Sequence, residues 1–239
     1  AKGLASVQGL YVLFDGATGL PLAAIDGAAI TLWKTAANSA LAASYLARKG
    51  ARRLLMVGAG ALAPYLARAH CAVRPIAEVM VWNRTAENAE RMAAALARPG
   101  LTVEVVSDLA AAVARADIVS CATMASAPVI KGAWLPPGVH VDLVGGYRPD
   151  MREADDEAIR RARVFIDAWF TAADHCGDIC QPVAAGLLRK DDITDTFQLA
   201  RGERPGRLRE DEITLFKSGG GGHEDLGTAQ HILARIGAG

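Results

Sequence analysis

A glycine-rich turn is the first segment of the sequence that could do chemistry. Residues 57–63 read Val-Gly-Ala-Gly-Ala-Leu-Ala, between an apolar run at 54–57 and an Ala- and Leu-rich stretch at 61–72. At the join of a strand and a helix, Gly58 would permit the tight turn, and Gly60 would remove a side chain where a pyrophosphate approaches the backbone. The N–H groups that open the helix would then face the phosphates. The pattern predicts a dinucleotide site formed by Gly58, Ala59, Gly60, Ala61 and Leu62.

The loop after the next predicted strand bears on which dinucleotide binds. A site for NAD places Asp or Glu about 20 residues after the glycines, where it bonds the ribose 2′-hydroxyl. This chain has Trp-Asn-Arg-Thr at 82–85, without a carboxylate. Arg84 could pair with a 2′-phosphate, and Asn83 and Thr85 could donate hydrogen bonds to it. The loop favours NADPH over NADH; the alternative is a solvated arginine in a surface turn.

The elements that must position these residues indicate an α/β fold. A hairpin is predicted at 10–25, then a helix at 34–48 with Thr31 as its cap. From residue 52 onward, apolar strands alternate with helices. The strands are predicted at 54–57, 78–82, 103–106, 118–121, 139–144 and 164–167, and the helices at 61–72, 86–97 and 108–115. Beyond residue 174 the alternation stops, and a last helix is predicted at 226–235.

This order predicts a Rossmann-type doubly wound parallel sheet over residues 51–174. Residues 1–50 and 175–239 are predicted to form a second, smaller α+β domain. Because Ala1 has no methionine before it and a strand-like run follows within a few residues, we expect this sequence to begin partway into a longer protein.

Composition argues against several classes of protein. The 239 residues contain 26 basic and 26 acidic side chains, so no overall field recruits nucleic acid or an anionic membrane. Apolar stretches end well before membrane-spanning length. Four irregularly spaced cysteines indicate a reduced, cytoplasmic protein. His175, Cys176 and Cys180 lack the second ligand pair of a zinc site, so we expect no metal.

Six segments in the same order resemble the ornithine cyclodeaminase/μ-crystallin family. They are Asp26-Gly27 with Thr31, Lys-Thr-Ala-Ala-Asn-Ser-Ala at 34–40, the glycines at 58–60, the loop at 82–85, Gly-Gly-Tyr-Arg-Pro-Asp at 145–150 and Phe-Lys-Ser at 216–218. The resemblance implies a homodimer with a central Rossmann domain and a dimerisation domain built from both chain ends. It implies one of three activities: NAD-dependent ornithine cyclodeamination, alanine dehydrogenation, or NADPH-dependent reduction of cyclic ketimines. The loop at 82–85 matches the cofactor loop of the μ-crystallin branch.

Three departures from the family pattern bear on chemistry. The family arginine that holds the substrate carboxylate is Lys34 here, which keeps the charge but loses the bidentate fork; an ordinary surface lysine is the alternative. Tyr147 stands where cyclodeaminases carry a catalytic Asp, so ammonia release is poorly supported, and Tyr147 could line the substrate pocket or simply pack. An N-terminal region with a substrate-binding Arg and an active-site Lys should precede Ala1, and Lys2 falls too late in the pattern to be that lysine.

The resemblance also implies further contacts with the cofactor. Ala122, Thr123 and Met124 would pass the nicotinamide ribose, Ser218 and Gly219 would approach the ring, and Thr35 belongs to the same site. Residues 220–225 fit the family's G-x-A/G-x-E-D pattern, in which His223 could be structural or a proton donor.

Together these features predict a reductase of a small cyclic imino acid that uses NADPH. Candidate substrates are Δ1-pyrroline-2-carboxylate and Δ1-piperideine-2-carboxylate, giving L-proline or L-pipecolate, with Lys34 and Tyr147 as the catalytic candidates. Three alternatives stay open: an NAD-dependent ornithine cyclodeaminase, a non-catalytic NADPH and small-ligand binder, and a reductive N-alkylation of a 2-oxo acid.

Overall fold

The computed structural model describes residues 7–237, so Lys2 lies outside the described residues. Within that range the strands are β1 (Leu10–Phe14), β2 (Pro21–Asp26), β3 (Arg53–Val57), β4 (Glu78–Trp82), β5 (Thr102–Val105), β6 (Ile118–Cys121), β7 (His140–Leu143), β8 (Ala162–Ile166), β9 (Thr194–Asp195) and β10 (Ile213–Lys217). The α-helices are α1 (Gly27–Leu46), α2 (Ala63–Val73), α3 (Ala86–Leu96), α4 (Leu109–Arg115), α5 (Asp156–Arg161), α6 (Gly177–Ala184), α7 (Thr196–Ala200) and α8 (Gly222–Ile236).

The predicted hairpin is confirmed, but the helix after it begins earlier than predicted. β1 and β2 pair antiparallel, with Leu10 opposite Asp26. The Asp26 carboxylate accepts a hydrogen bond from the Ala29 N–H at 2.8 Å and caps α1 directly at the end of β2. Thr31 lies inside the helix and donates its hydroxyl to the Gly27 carbonyl at 2.7 Å. The prediction of Thr31 as the cap is therefore wrong, because a stronger capping residue stands before it.

The central sheet is parallel and doubly wound, as predicted. Its strand order is β5-β4-β3-β6-β7-β10-β8-β9. From β3 the chain winds outward to β4 and β5, then returns across β3 to β6. In such sheets, ligands bind in the crevice where the winding reverses, outside the carboxyl ends of the strands. Here that crevice lies beyond Val57 and Cys121.

Helices cover both faces of this sheet. Buried residues of α1, α2 and α3 pack with β3 and β4 on one face, and those of α4, α5 and α6 pack with β6, β7 and β10 on the other. The helices therefore exclude water from the strands and leave the carboxyl edge of the sheet as the place for a site.

The prediction that the parallel alternation stops at residue 174 is wrong. β10 lies between β7 and β8 in the middle of the sheet, and β9 forms one edge. All five residues of β10 are buried, which is typical of a central parallel strand. The charged residues around 202–212 and the lysine at the end of β10 obscure this strand in the sequence. How the chain divides into domains stays a prediction.

Two properties of residues 7–237 bear on membranes and metals. No helix within residues 7–237 is long and apolar enough to cross a membrane. In the same range no cluster of three or more His, Cys, Asp or Glu side chains could hold a metal ion. All four cysteines are free thiols.

Candidate active site

The glycine turn lies at the crevice and leaves backbone donors free. Gly58 has φ of +102° and donates its N–H to the Trp82 carbonyl at 2.9 Å. A Cβ there would lie 2.6 Å from the Ala122 carbonyl oxygen, whereas a Cβ on Gly60 would meet nothing within 4 Å. Three consecutive backbone donors in this turn have no acceptor within residues 7–237. They are the N–H groups of Gly60, Ala61 and Leu62. Three open donors at the start of α2 fit a pyrophosphate.

The loop after β4 is fixed by Asn83 and presents Arg84 outward. The Asn83 side-chain oxygen accepts the Ala59 N–H at 3.1 Å, and its amide donates to the Thr85 carbonyl at 2.8 Å. Asn83 therefore ties this loop to the glycine turn. Arg84 is exposed and has no hydrogen bond or ion pair with any residue in the range 7–237. Its guanidinium is free to pair with an anion, and the hydroxyl of exposed Thr85 lies one residue on.

Ala122 and Thr123 lie on the other side of the same crevice. The Ala122 N–H donates to the Val57 carbonyl at 2.9 Å, which extends the pairing of β3 with β6 by one residue. Thr123 donates both its N–H and its hydroxyl to Glu153 Oε1, at 2.7 and 2.8 Å. Met124 is exposed. The backbone at 122–123 is therefore fixed against the glycine turn.

A buried charged cluster lies beneath the loop after β7. Glu153 Oε2 accepts the Gly145 N–H at 2.7 Å. The Lys217 ammonium donates to the Gly145 carbonyl at 2.9 Å and lies 3.5 Å from Asp178 Oδ2. Burial raises the pKa of Glu153 to about 7, with the charge of Lys217 opposing the rise and that of Asp178 adding to it. These groups hold both backbone polar groups of Gly145.

Tyr147 extends from this loop into solvent. Its residue surface is 51% exposed, and it makes no hydrogen bond with another residue between 7 and 237. Gly146, just before it, has φ of +27° and packs against the Asp178 carboxylate. The phenol therefore stands at the rim of the carboxyl edge and is not packed into the core.

Lys34 is half of a largely buried ion pair. Its ammonium lies 3.2 Å from Glu224 Oε2 and 3.9 Å from Asp225 Oδ1, and its side chain is 10% exposed. A Cβ on Gly220 would lie 2.8 Å from the ammonium, so the C-terminal loop passes directly over it. The alternative of an ordinary surface lysine is wrong, because α8 and this loop enclose the side chain.

Asp167, at the end of β8, shapes that C-terminal loop. Its Oδ2 accepts the N–H groups of Gly219 and Gly220 at 2.7 and 2.6 Å. Ser218, at the start of the loop, accepts a hydrogen bond from the Asn38 amide at 3.1 Å. Thr35 is buried one turn before Asn38 on α1. The loop expected near the nicotinamide is thus anchored from β8 and from α1.

A second buried network links the elements below the crevice. Asp142 accepts hydroxyl hydrogen bonds from Ser39 at 3.0 Å and Ser120 at 2.7 Å, and its Oδ2 lies 3.1 Å from His70 Nε2. Burial works against the charge on Asp142, yet the hydrogen bonds from His70 and Ser120 keep its pKa below the usual value. This carboxylate joins α1, α2, β6 and β7, four elements near the glycine turn.

Sequence reasoning missed the acids that hold the site's loops. Asp167 could have been found, since it directly follows a buried strand. Glu153 and Asp178 carry no such signal, because they lie in a loop and a short helix and reach the site only through the fold. Lys217 was noticed only as part of the segment 216–218.

The parallel sheet, the reversal of its winding and the open glycine turn define a Rossmann-type α/β protein. The chain belongs to the ornithine cyclodeaminase/mu-crystallin family, whose model matches residues 1–239. It is 47% identical over 241 residues to the Delta(1)-pyrroline-2-carboxylate reductase of Paracoccus denitrificans, covering 100% of this chain and 76% of that protein.

Two solved structures extend the comparison. The Delta(1)-pyrroline-2-carboxylate reductase of Thermococcus litoralis, in complex with NADH and L-proline, has a TM-score of 0.94 and 35% identity over 98% of this chain and 73% of that one. An archaeal alanine dehydrogenase dimer with bound NAD has a TM-score of 0.91 and 29% identity over 98% of this chain and 72% of that one.

Proposed function

We propose that this protein reduces a small cyclic imino acid, Δ1-pyrroline-2-carboxylate or Δ1-piperideine-2-carboxylate, to L-proline or L-pipecolate with NADPH. The observation that carries the proposal is a largely buried ammonium, that of Lys34, next to the anchored loop at 218–220 on the carboxyl edge of the sheet. A substrate that brings a carboxylate and a C=N bond suits such a cation. The names of the relatives from Paracoccus denitrificans and Thermococcus litoralis agree with this chemistry.

The chain's own groups would hold the dinucleotide along the crevice. The open N–H groups at 60–62 suit the pyrophosphate, and Arg84 suits a 2′-phosphate. Residues 122–123 would contact the nicotinamide ribose, while Thr35 and the loop at 218–219 would lie near the ring. When bound, the reduced cofactor supplies a hydride to the imine carbon.

The protein contributes orientation and electrostatics. Lys34 would hold the substrate carboxylate, which fixes the C=N bond against the site of hydride delivery. Tyr147 would cover the substrate from the rim. Because no carboxylate side chain stands at position 147, the proposal disfavours the cyclodeaminase alternative.

The direct test follows NADPH absorbance with each cyclic imine, in parallel with NAD plus L-ornithine. We expect NADPH consumption with at least one imine and formation of the corresponding amino acid. Ammonia release from ornithine with catalytic NAD would instead assign the protein to the lyases. Tight ligand binding without turnover on any imine would assign it to the non-catalytic binders.

The choice of NADPH is tested at Arg84. A charged hydrogen bond contributes about 1.5–3 kcal/mol, so Arg84→Ala should raise the KM for NADPH by roughly 10- to 100-fold and that for NADH by less than about twofold. Arg91→Ala is the matched control, since Arg91 on α3 is also exposed and, within residues 7–237, bonds only Asn88. Equal effects of Arg84→Ala on the two cofactors would remove the argument for NADPH.

We also propose that the protein is a homodimer located in the cytoplasm. The hairpin exposes several large apolar side chains, among them Leu10, Phe14 and Leu20. Exposed apolar patches of this kind mark protein interfaces. Light scattering should give a dimer that Phe14→Glu weakens; a monomer at every concentration would contradict the proposal. The four free thiols suit a reducing compartment.

A further inference from the structure

Within residues 7–237, the charge of the Lys34 ammonium is already balanced by carboxylates. Two carboxylates already face this one ammonium, Glu224 at 3.2 Å and Asp225 at 3.9 Å. A ligand carboxylate that binds Lys34 would be a third negative group in a site largely shielded from water. Because like charges repel strongly in such a site, carboxylate binding favours the departure or the neutralisation of one of the two carboxylates already there.

Glu224 is the carboxylate that can become neutral in place. Its side chain is 11% exposed, and its Oε1 is buried without a hydrogen-bond partner among residues 7–237. A buried carboxylate oxygen without a donor favours the protonated form. Burial raises the pKa of Glu224 to about 7, Lys34 opposes the rise, and the charges of Asp167 and Asp225 add to it.

Three other titratable groups, Asp167, Asp225 and His223, lie near Glu224 or Lys34. Asp167 accepts hydrogen bonds from the N–H groups of residues 168, 219 and 220 and from the Thr171 hydroxyl. Asp225 is 25% exposed and more distant from Lys34. His223 places Nε2 3.9 Å from Glu224 Oε1 and supplies no hydrogen bond to it.

We propose that Glu224 takes up one proton from solvent when a carboxylate ligand binds Lys34. The Lys34–Glu224 ion pair is then replaced by an ion pair between Lys34 and the ligand, and the net charge around the ammonium is unchanged. Glu224 is thus a positioning residue that acts through Lys34 and couples substrate binding to pH. This inference rests on the proposed function, since it needs Lys34 to hold the substrate carboxylate.

Proton uptake by Glu224 would make the affinity for a carboxylate ligand fall as the pH rises. Below the pKa of Glu224 the proton is already present, so affinity for the carboxylate is insensitive to pH. Above it a proton must be taken up, and affinity falls by up to about tenfold per pH unit. The KM for the imine should show this slope, while kcat should not follow it.

Calorimetry with pyrrole-2-carboxylate tests the proposal without turnover. This planar carboxylate has no basic nitrogen, so proton uptake measured in buffers of different ionisation enthalpy belongs to the protein. At about pH 8 we expect uptake approaching one proton per ligand, and none with Glu224→Gln, whose affinity should lose its pH dependence. Asp225→Asn, which alters the neighbouring carboxylate, should keep the uptake. Thermal melting checks that each variant is folded.

The outcomes separate the inference from the proposed function. Absence of binding, or binding that survives Lys34→Met, overturns the placement of the substrate carboxylate and this inference with it. Binding that Lys34→Met abolishes but that takes up no proton overturns the inference alone. Uptake that persists in Glu224→Gln assigns the proton to another group and also overturns it.

Discussion

Replacing Gly58 or Gly60 of the glycine turn with alanine should have different effects on the protein. Gly58 has φ of +102°, and a Cβ on it would lie 2.6 Å from the Ala122 carbonyl oxygen at the end of β6. Gly60 has open space where its Cβ would be. Gly58→Ala should therefore damage the fold, and Gly60→Ala should damage only cofactor binding.

The size of each effect follows from these surroundings. At Gly58 an alanine incurs backbone strain of about 1–3 kcal/mol and must also shift the backbone of a central strand end. Together these should lower the free energy of unfolding by about 2–4 kcal/mol, which is a fall in Tm of roughly 5–15 °C for a chain of this size. At Gly60 the change in stability should stay within about 0.5 kcal/mol.

Urea unfolding and thermal melting of the cofactor-free protein give the stability of each variant, and calorimetry gives its NADPH affinity. Gly60→Ala should weaken NADPH by roughly tenfold or more, about 1.4 kcal/mol, because the methyl group occupies the space where the pyrophosphate approaches the backbone. Similar stabilities for the two variants would refute the steric argument at Gly58. Unchanged NADPH affinity in Gly60→Ala would refute the assignment of the turn.

Three further substitutions probe the buried charges. Lys217→Met leaves Asp178 without its cation and should lower the free energy of unfolding, measured in urea, by about 3–5 kcal/mol. The double variant Lys217→Met/Asp178→Asn should recover part of that free energy. No recovery would contradict the pairing of Lys217 with Asp178. Asp167→Ala removes the acceptor for the N–H groups of residues 219 and 220, so it should raise the KM for the cofactor. Asp167→Asn should raise that KM less. Hydrogen exchange should become faster in this loop and nowhere else. The pKa of Glu224 is raised from 4.5 to about 7, so its contribution to stability is full below the lower value and lost as pH rises toward the upper one; Glu224→Gln should reduce that decline in the free energy of unfolding, measured in urea, by about 1–3 kcal/mol, and an unchanged decline would refute the shift.

Local patterns in the sequence were sufficient to predict most strands of the sheet. The strands at 78–82 and 118–121 have the predicted bounds, because short apolar runs between turn residues are typical of buried parallel strands. β10 was missed, since its run ends in a lysine and stands among charged loops. Only the surrounding fold, which supplies Asp178 and the Gly145 carbonyl, makes that lysine tolerable in the centre of a sheet.

The sequence by itself determined the glycine turn between a strand and a helix, the absence of an acid in the loop at 82–85 and the family to which the chain belongs, because these depend on residue types at short spacing. The tertiary structure alone decided the partners of the charged groups. Lys34 meets Glu224 across a separation of 190 residues, and only the convergence of α1 and α8 brings them together. Burial then sets how readily Glu224 holds a proton, since the cost of a charge depends on how much water surrounds it.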